Sequence, residues 1–272
     1  MTICVSVKIA EGLVFAADSA VMLQQATMVG NQAQVGIIQN FNYANKVTQV
    51  KDYPIGVMSW GLGSIGERSI QSLIMEFEHD YPSTSYNKGY HVEKVANELI
   101  DFIRQRYDNV YPASQSQPLP PDHRKLGFII GGYSSKEFFA EQYTFSFPDS
   151  TALEHVRPNK SDFGVNWYGA VDALVRLIKG YDLASLEALV QRGVDKDILR
   201  KWLDENISEL PIIFQGMPIQ DAIDFAEYCV QVVIGRYRFG PGPALCGGAI
   251  DIAVIRPLSY KWARRKQWAI KD

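Results

Sequence analysis

Strands in this sequence come in pairs, and that pairing limits the fold more than any other feature. Residues 2–9 alternate and are rich in β-branched types, the pattern of a strand. Glu11-Gly12 makes a turn and Leu13–Ala17 is a second, fully apolar strand, so the chain opens on a hairpin. Lys46–Val50 and Ile55–Ser59 form another pair around Asp52-Tyr53-Pro54. Strands return at Leu126–Tyr133 and Phe138–Phe147, and a last one runs over Ala249–Ile255 after Gly247-Gly248. Helical spacing covers 64–79 and 91–108, with apolar residues three and four apart (Ile70, Leu73, Ile74; Val95, Leu99, Phe102). Further helical patterns cover 167–180, 183–192, 195–204 and 218–234, with Pro218 well placed at a helix start. This order predicts an α+β chain with antiparallel sheets flanked by helices, not a doubly wound parallel sheet.

Residues 23–42 are polar and Gln/Asn-rich, which reads as a loop with a short strand near Val35–Ile38. The four-proline segment Tyr111–Arg124 reads as a surface loop rather than a linker. Residues 1–272 are therefore expected to form a single domain, ending in a basic tail over 258–272. In that tail, Lys261-Trp262-Ala263-Arg264-Arg265-Lys266-Gln267-Trp268 reads as a solvated end with its aromatics packed on the body. A contact arm for a neighbouring subunit or an acidic partner is the alternative.

Composition narrows the function by exclusion. With 47% hydrophobic and 21% charged residues, the 272-residue chain can bury a sizeable core. A formal net charge of −3 gives no reason to expect nucleic acid as a partner. No apolar run has the length of a membrane span, and no secretory pattern is visible, so a cytoplasmic setting is expected. The three cysteines (Cys4, Cys229, Cys246) are too few and too scattered for a disulfide framework or a zinc site. Cys246 reads as a buried small residue rather than a nucleophile. The four histidines lack ligand spacing, so neither metal nor cofactor is expected. Gly61-Leu62-Gly63-Ser64-Ile65-Gly66 satisfies G-x-G-x-x-G, but the following helix runs into Tyr81-Pro-Ser-Thr-Ser85 and no acidic-ended second strand follows. Ser59 sits in no Gly-x-Ser-x-Gly elbow.

The chemistry points to Thr2. Once Met1 is removed, a hydroxyl and a free α-amino group share one residue, which is a nucleophile with its own base. The α-amine titrates at roughly 7.7–8.0, so a useful fraction is free base at neutral pH. While Met1 remains, that nitrogen is an amide.

Four separated segments extend this. Thr2 through Gly12-Leu-Val-Phe-Ala-Ala-Asp18-Ser19 resembles the start of a mature proteasome β subunit. Asn45-Lys46-Val47, followed by Tyr53-Pro-Ile-Gly56-Val-Met58-Ser59, is similar to the motif in which that family carries its catalytic lysine. Gly180-Tyr181-Asp182 and Gly247-Gly248 are weaker matches in the expected order. The likeness is closer to bacterial proteasome-like proteins than to eukaryotic subunits. It implies an N-terminal nucleophile hydrolase, built as a four-layer αββα sandwich. It implies Thr2 as nucleophile, Asp18 and Lys46 as the charged pair beside it, and the backbone N–H of Trp60 as oxyanion donor. An ammonium group near the α-amine would disfavour its protonation and keep the base free. Val21, Thr48 and Met58 match the specificity pocket and carry no charge, which implies neutral or apolar side chains before the cut.

Several positions depart from the family pattern. Trp60 replaces a glycine. Ala170, Pro243 and Cys246 stand where supporting serine, aspartate and serine residues are usual, and Ala20 replaces an arginine. The expected activity is that of a threonine peptidase acting on peptides or proteins, in a homo-oligomeric ring whose unfoldase partner is not readable. A catalytically inactive ring subunit and a small-molecule amidase are the rivals.

Overall fold

A computed structural model describes residues 2–29, 32–81, 89–112, 120–207 and 209–267. Met1, Trp268 and the end of the tail, most of the Tyr111–Arg124 loop, and the Tyr81–Ser85 loop beyond Tyr81 lie outside the described residues.

The chain opens with β1 (Ile3–Ile9), β2 (Gly12–Ala17), β3 (Val21–Val29), β4 (Gln32–Phe41), β5 (Val47–Gln49), β6 (Ile55–Gly61), β7 (Ser64–Ile65) and β8 (Arg68–Ser69). Helices α1 (Ile70–Asp80) and α2 (Val92–Val110) follow, then β9 (Leu126–Gly132), β10 (Glu141–Phe147), β11 (Glu154–His155) and β12 (Gly164–Gly169). A short helix α3 (Asp172–Leu174) continues as a π-helical turn over Val175–Lys179. The chain ends with α4 (Leu183–Gln191), α5 (Lys196–Asn206), α6 (Ile219–Phe239), β13 (Asp251–Arg256) and β14 (Ser259–Arg264).

Two five-stranded sheets result, ordered β12-β1-β2-β13-β14 and β11-β10-β9-β6-β5, with neighbouring strands antiparallel. Among the described residues this is a mixed α and β chain with antiparallel sheets and six α-helices, as an α+β reading requires. Strands β1 and β2 are buried along their whole length, which explains the unbroken apolar run of Leu13–Ala17. Alternation then sorts their side chains. Ile3, Val5 and Val7 pack with α6 residues Ala226, Cys229 and Val233 in one apolar cluster. Cys4, Leu13 and Phe15 turn to the other face and meet Met58 and Ile129 of the second sheet. That sheet's far face packs against α1 and α2 through Leu73, Phe77, Leu99 and Ile103. Helices α4 and α5 bury no residue at all, and Ile198 and Trp202 of α5 are exposed.

Four sequence expectations need correction. Residues 23–42 are not a loop: β3 and β4 pair from Val21↔Phe41 to Val29↔Gln32 as a long two-stranded ribbon. Residues 64–69 are not helical but form the small β7–β8 hairpin. Ser69 then caps α1, its side chain accepting from Ser72 N–H at 3.1 Å, so the helix begins only at Ile70. Residues 167–169 are not helical either. They end β12, which pairs with β1, and tertiary pairing overrides the local spacing. Within the tail, Ser259–Arg264 is β14, and Tyr260 and Trp262 pack against the cluster between the sheets.

Candidate active site

The start of β1 and the end of β2 are neighbours because the opening hairpin pairs Cys4 with Ala17. Asp18, one residue further, is thereby brought opposite Ile3, the residue after Thr2. The Ile3 N–H donates to Asp18 Oδ1 at 3.1 Å, and the Asp18 N–H donates to the Ile3 carbonyl at 3.3 Å. Lys46 approaches from the segment before β5, and its Nζ lies 2.6 Å from Asp18 Oδ1. The second carboxylate oxygen accepts from Ala20 N–H at 3.2 Å and Gly247 N–H at 2.9 Å. Asp18 thus receives four donors, drawn from β1, its own turn, Lys46 and the loop before β13. Burying an ion pair costs several kcal/mol per ion unless further hydrogen bonds satisfy it, and the three backbone N–H donors supply that compensation. The pair has little freedom: Asp18 is 1% and Lys46 6% exposed.

Thr2 is 4% exposed. Its carbonyl accepts from Ala170 N–H at 2.7 Å, which ties it to the chain leaving β12. Gly169 makes that approach possible. It has φ +91°, and a Cβ there would lie 1.9 Å from the Thr2 carbonyl oxygen. Gly61 plays the same part across the cleft, with φ +92° and space for a Cβ denied by the Lys125 carbonyl at 2.1 Å.

Thr2 and Lys46 open onto a cleft of about 460 Å³. Its walls include Val21 and Phe41, paired at the base of the ribbon, Ser59 and Gly61 from β6, and Gln71 from α1. Of the three expected pocket residues, only Val21 lines this cleft. Thr48 stands behind the wall, its Oγ1 donating to Gln71 Oε1 at 2.8 Å. Met58 is fully buried between the sheets, because alternation along β6 turns it to the same side as Trp60. Phe41, Tyr43 and Gln71, which sequence reasoning missed, take those places. The signal for Phe41 lay in a segment that reads as polar.

Trp60 sits between the two β6 lining residues but does not line the cleft itself. Its indole stacks on Tyr168 with ring centroids 4.5 Å apart. It lies over Gly127, where a Cβ would come within 2.1 Å of the ring. The indole therefore does not crowd Thr2. Ala170 contributes only a buried methyl group beside its backbone contact, and Pro243 is exposed. Cys246 is buried next to Gly247. Burial first, then the nearby Asp18 carboxylate, pushes its thiol up to about 12. Burial likewise pushes the Cys4 thiol far up, while its Sγ contacts the Ser59 carbonyl at 3.4 Å. Neither thiol is a nucleophile at neutral pH. Among the described residues, no group of three or more His, Cys, Asp or Glu is placed to hold a metal ion. No helix among them is long and apolar enough to cross a membrane.

No protein-family model matches the sequence, and no curated protein matches it.

Proposed function

We propose that this chain is a proteasome-like N-terminal nucleophile hydrolase: a threonine peptidase that cleaves amide bonds through an acyl-enzyme on Thr2. The carrying observation is the junction of Thr2 with a buried, four-donor Asp18–Lys46 pair at the floor of a cleft. The finer architecture belongs to the same reading: two face-to-face antiparallel sheets between helical layers, an αββα sandwich.

In this reading Met1 is removed and the α-amine of Thr2 takes the proton from Oγ as it attacks the scissile carbonyl. The amine then protonates the leaving group, activates water, and the acyl group is hydrolysed from Oγ. Lys46, fixed by Asp18, stabilises the developing negative charge. In the β6–β9 ladder the Trp60 N–H turns to Gly127, so the oxyanion donor expected from the sequence is used within the sheet; the Gly61 N–H, on the opposite side of β6 and at the cleft, takes that role in this reading. The uncharged wall of Val21 and Phe41 suits neutral or apolar side chains before the cut. The protein then works in the cytoplasm, on peptide or protein substrates, as a homo-oligomer.

A second reading is a catalytically inactive ring subunit. Ala170, Pro243 and Cys246 favour it, because none offers the hydroxyl or carboxylate usual at those positions, and supporting groups fix catalytic geometry. A small-molecule amidase on the same fold is tested by the same assay with acyl-amino substrates.

The deciding experiment is the intact mass of the protein made with its native start, followed by turnover of small apolar fluorogenic peptides. Loss of one methionine with turnover that disappears in Thr2→Ala supports the peptidase. A retained Met1, or turnover unchanged by Thr2→Ala, removes it. Acyl-amino hydrolysis without peptide cleavage replaces it with the amidase.

A further inference from the structure

A second cavity of about 640 Å³ lies away from the Thr2 cleft, along β12. Every residue from Phe163 to Tyr168 lines it. Side chains alternate between the two faces of a strand, so what six consecutive residues share is the strand's edge. Among the described residues, β12 is the end strand of its sheet, paired only with β1.

The register decides which backbone groups face outward. Ala170 N–H bonds the Thr2 carbonyl, and pairing continues in step from Ile3↔Gly169 to Lys8↔Gly164. In an antiparallel pair, bonded and non-bonded positions alternate. Residues 164, 166 and 168 therefore bond β1, and 165 and 167 point outward. Arg157 agrees with this parity, since its guanidinium donates to the carbonyls of Phe163 at 3.4 Å and Val165 at 3.0 Å. It covers the Gly164 end of the edge. The N–H of Val165 and both backbone groups of Trp167 are left without a partner among the described residues. The strand carries neither the lysine nor the proline with which free edges are commonly blunted.

The cavity walls differ on the two faces of the strand. On one, Val165 and Trp167 pack with Ile178, Ile212 and Phe214, an apolar wall. On the other, Asn166 Nδ2 and Arg157 Nε are buried donors with no acceptor. We propose that the edge of β12 takes an extended peptide segment by strand addition, with apolar and acidic side chains in alternation. Its backbone pairs with Val165 and Trp167, its apolar side chains meet the Ile178–Phe214 wall, and a carboxylate accepts from Asn166 and Arg157.

Fluorescence anisotropy with a labelled Val-Glu-Val-Glu-Val-Glu peptide tests this on the full chain in its Thr2→Ala form, so that cleavage cannot intervene. Saturable binding is expected, with a Val-Lys repeat bound at least about tenfold more weakly. Val165→Pro removes one outward N–H at an edge position that tolerates proline, and Asn166→Asp opposes the acidic side chain. Each should weaken binding about tenfold, with an unchanged circular-dichroism melt showing that the fold is intact. No saturable binding, equal binding of the Val-Lys repeat, or parent-like binding by both folded variants overturns the proposal. Sedimentation showing a self-association abolished by Val165→Pro also overturns it, by giving the edge to a second copy of the chain.

Discussion

Among the described residues two buried lysine–aspartate pairs have nearly equal burial, and only one of them lies at a cleft. Side-chain exposure is 6% and 0% for Lys46 and Asp18, against 2% and 4% for Lys266 and Asp251. Their surroundings are quite different. Among the described residues Asp251 is held by a single one, accepting from Lys266 N–H at 2.8 Å on one oxygen and from its ammonium on the other. That bond ties the chain after β14 back to β13. Asp18 gathers donors from four places and anchors the residue after Thr2. A buried ion pair is therefore no mark of a site by itself. Its junction with a hydroxyl nucleophile, at the wall of a cleft, is what gives one pair a chemical task.

The sharpest break of this comparison is at Thr2. Thr2→Ala is expected to lower peptide turnover by about 10⁴-fold or more while leaving thermal stability close to the parent's. Thr2→Ser keeps a hydroxyl and an amine, so it should retain measurable turnover. Loss in both, with normal peptide binding, would point to a backbone rather than a hydroxyl requirement.

The two lysines come next. Lys46→Met and Lys266→Met each leave a buried carboxylate without its countercharge, which costs about 3–5 kcal/mol. Chemical denaturation should therefore show comparable destabilisation. Turnover should separate them: Lys46→Met loses it under conditions where the variant is still folded, and Lys266→Met keeps it. Equal activity in the two variants would reduce Lys46 to a structural clamp like its counterpart.

The sequence shows these parts unequally. The β1–β2 hairpin is legible because both strands are buried and their pattern is unmixed. The Asp18–Lys46 pair is legible only as two residues with suggestive flanks, since a separation of 28 positions says nothing about contact until β2 and β5 are placed. The β3–β4 ribbon is hidden. Leu23, Ile37, Ile38 and Phe41 are exposed, so no buried face imposes alternation on the chain. Two cleft residues, Phe41 and Tyr43, are hidden with it. β12 is masked by the helical spacing that runs from Trp167 into α3, and its strand state is settled by its partner β1. Met58 was misplaced by one step of alternation: on β6 the residue after it, not Met58, reaches the cleft.

A third buried lysine gives the gentlest test. Lys8, 2% exposed on β1, has no carboxylate within bonding distance among the described residues and donates instead to the Arg157 and Asn159 carbonyls, both at 3.1 Å. Burial lowers its pKa from 10.5, against the weaker opposing effect of Asp162. The folded state therefore releases this proton at a lower pH than the unfolded chain does. Between the lowered value and 10.5 the unfolded chain binds more protons, so this group's contribution to stability rises with pH across that window. Below the window both states carry the charge and the full burial penalty applies. Above it neither does. Lys8→Met removes the titration but keeps an apolar stem of similar length, so the difference in unfolding free energy between parent and variant isolates Lys8 from the buried tyrosines. That difference should favour the variant most at neutral pH and shrink as pH approaches 10.5. A difference independent of pH would mean that the two carbonyls compensate the ammonium as fully as Asp18 compensates Lys46, and the distinction between paired and unpaired buried lysines in this protein would fall.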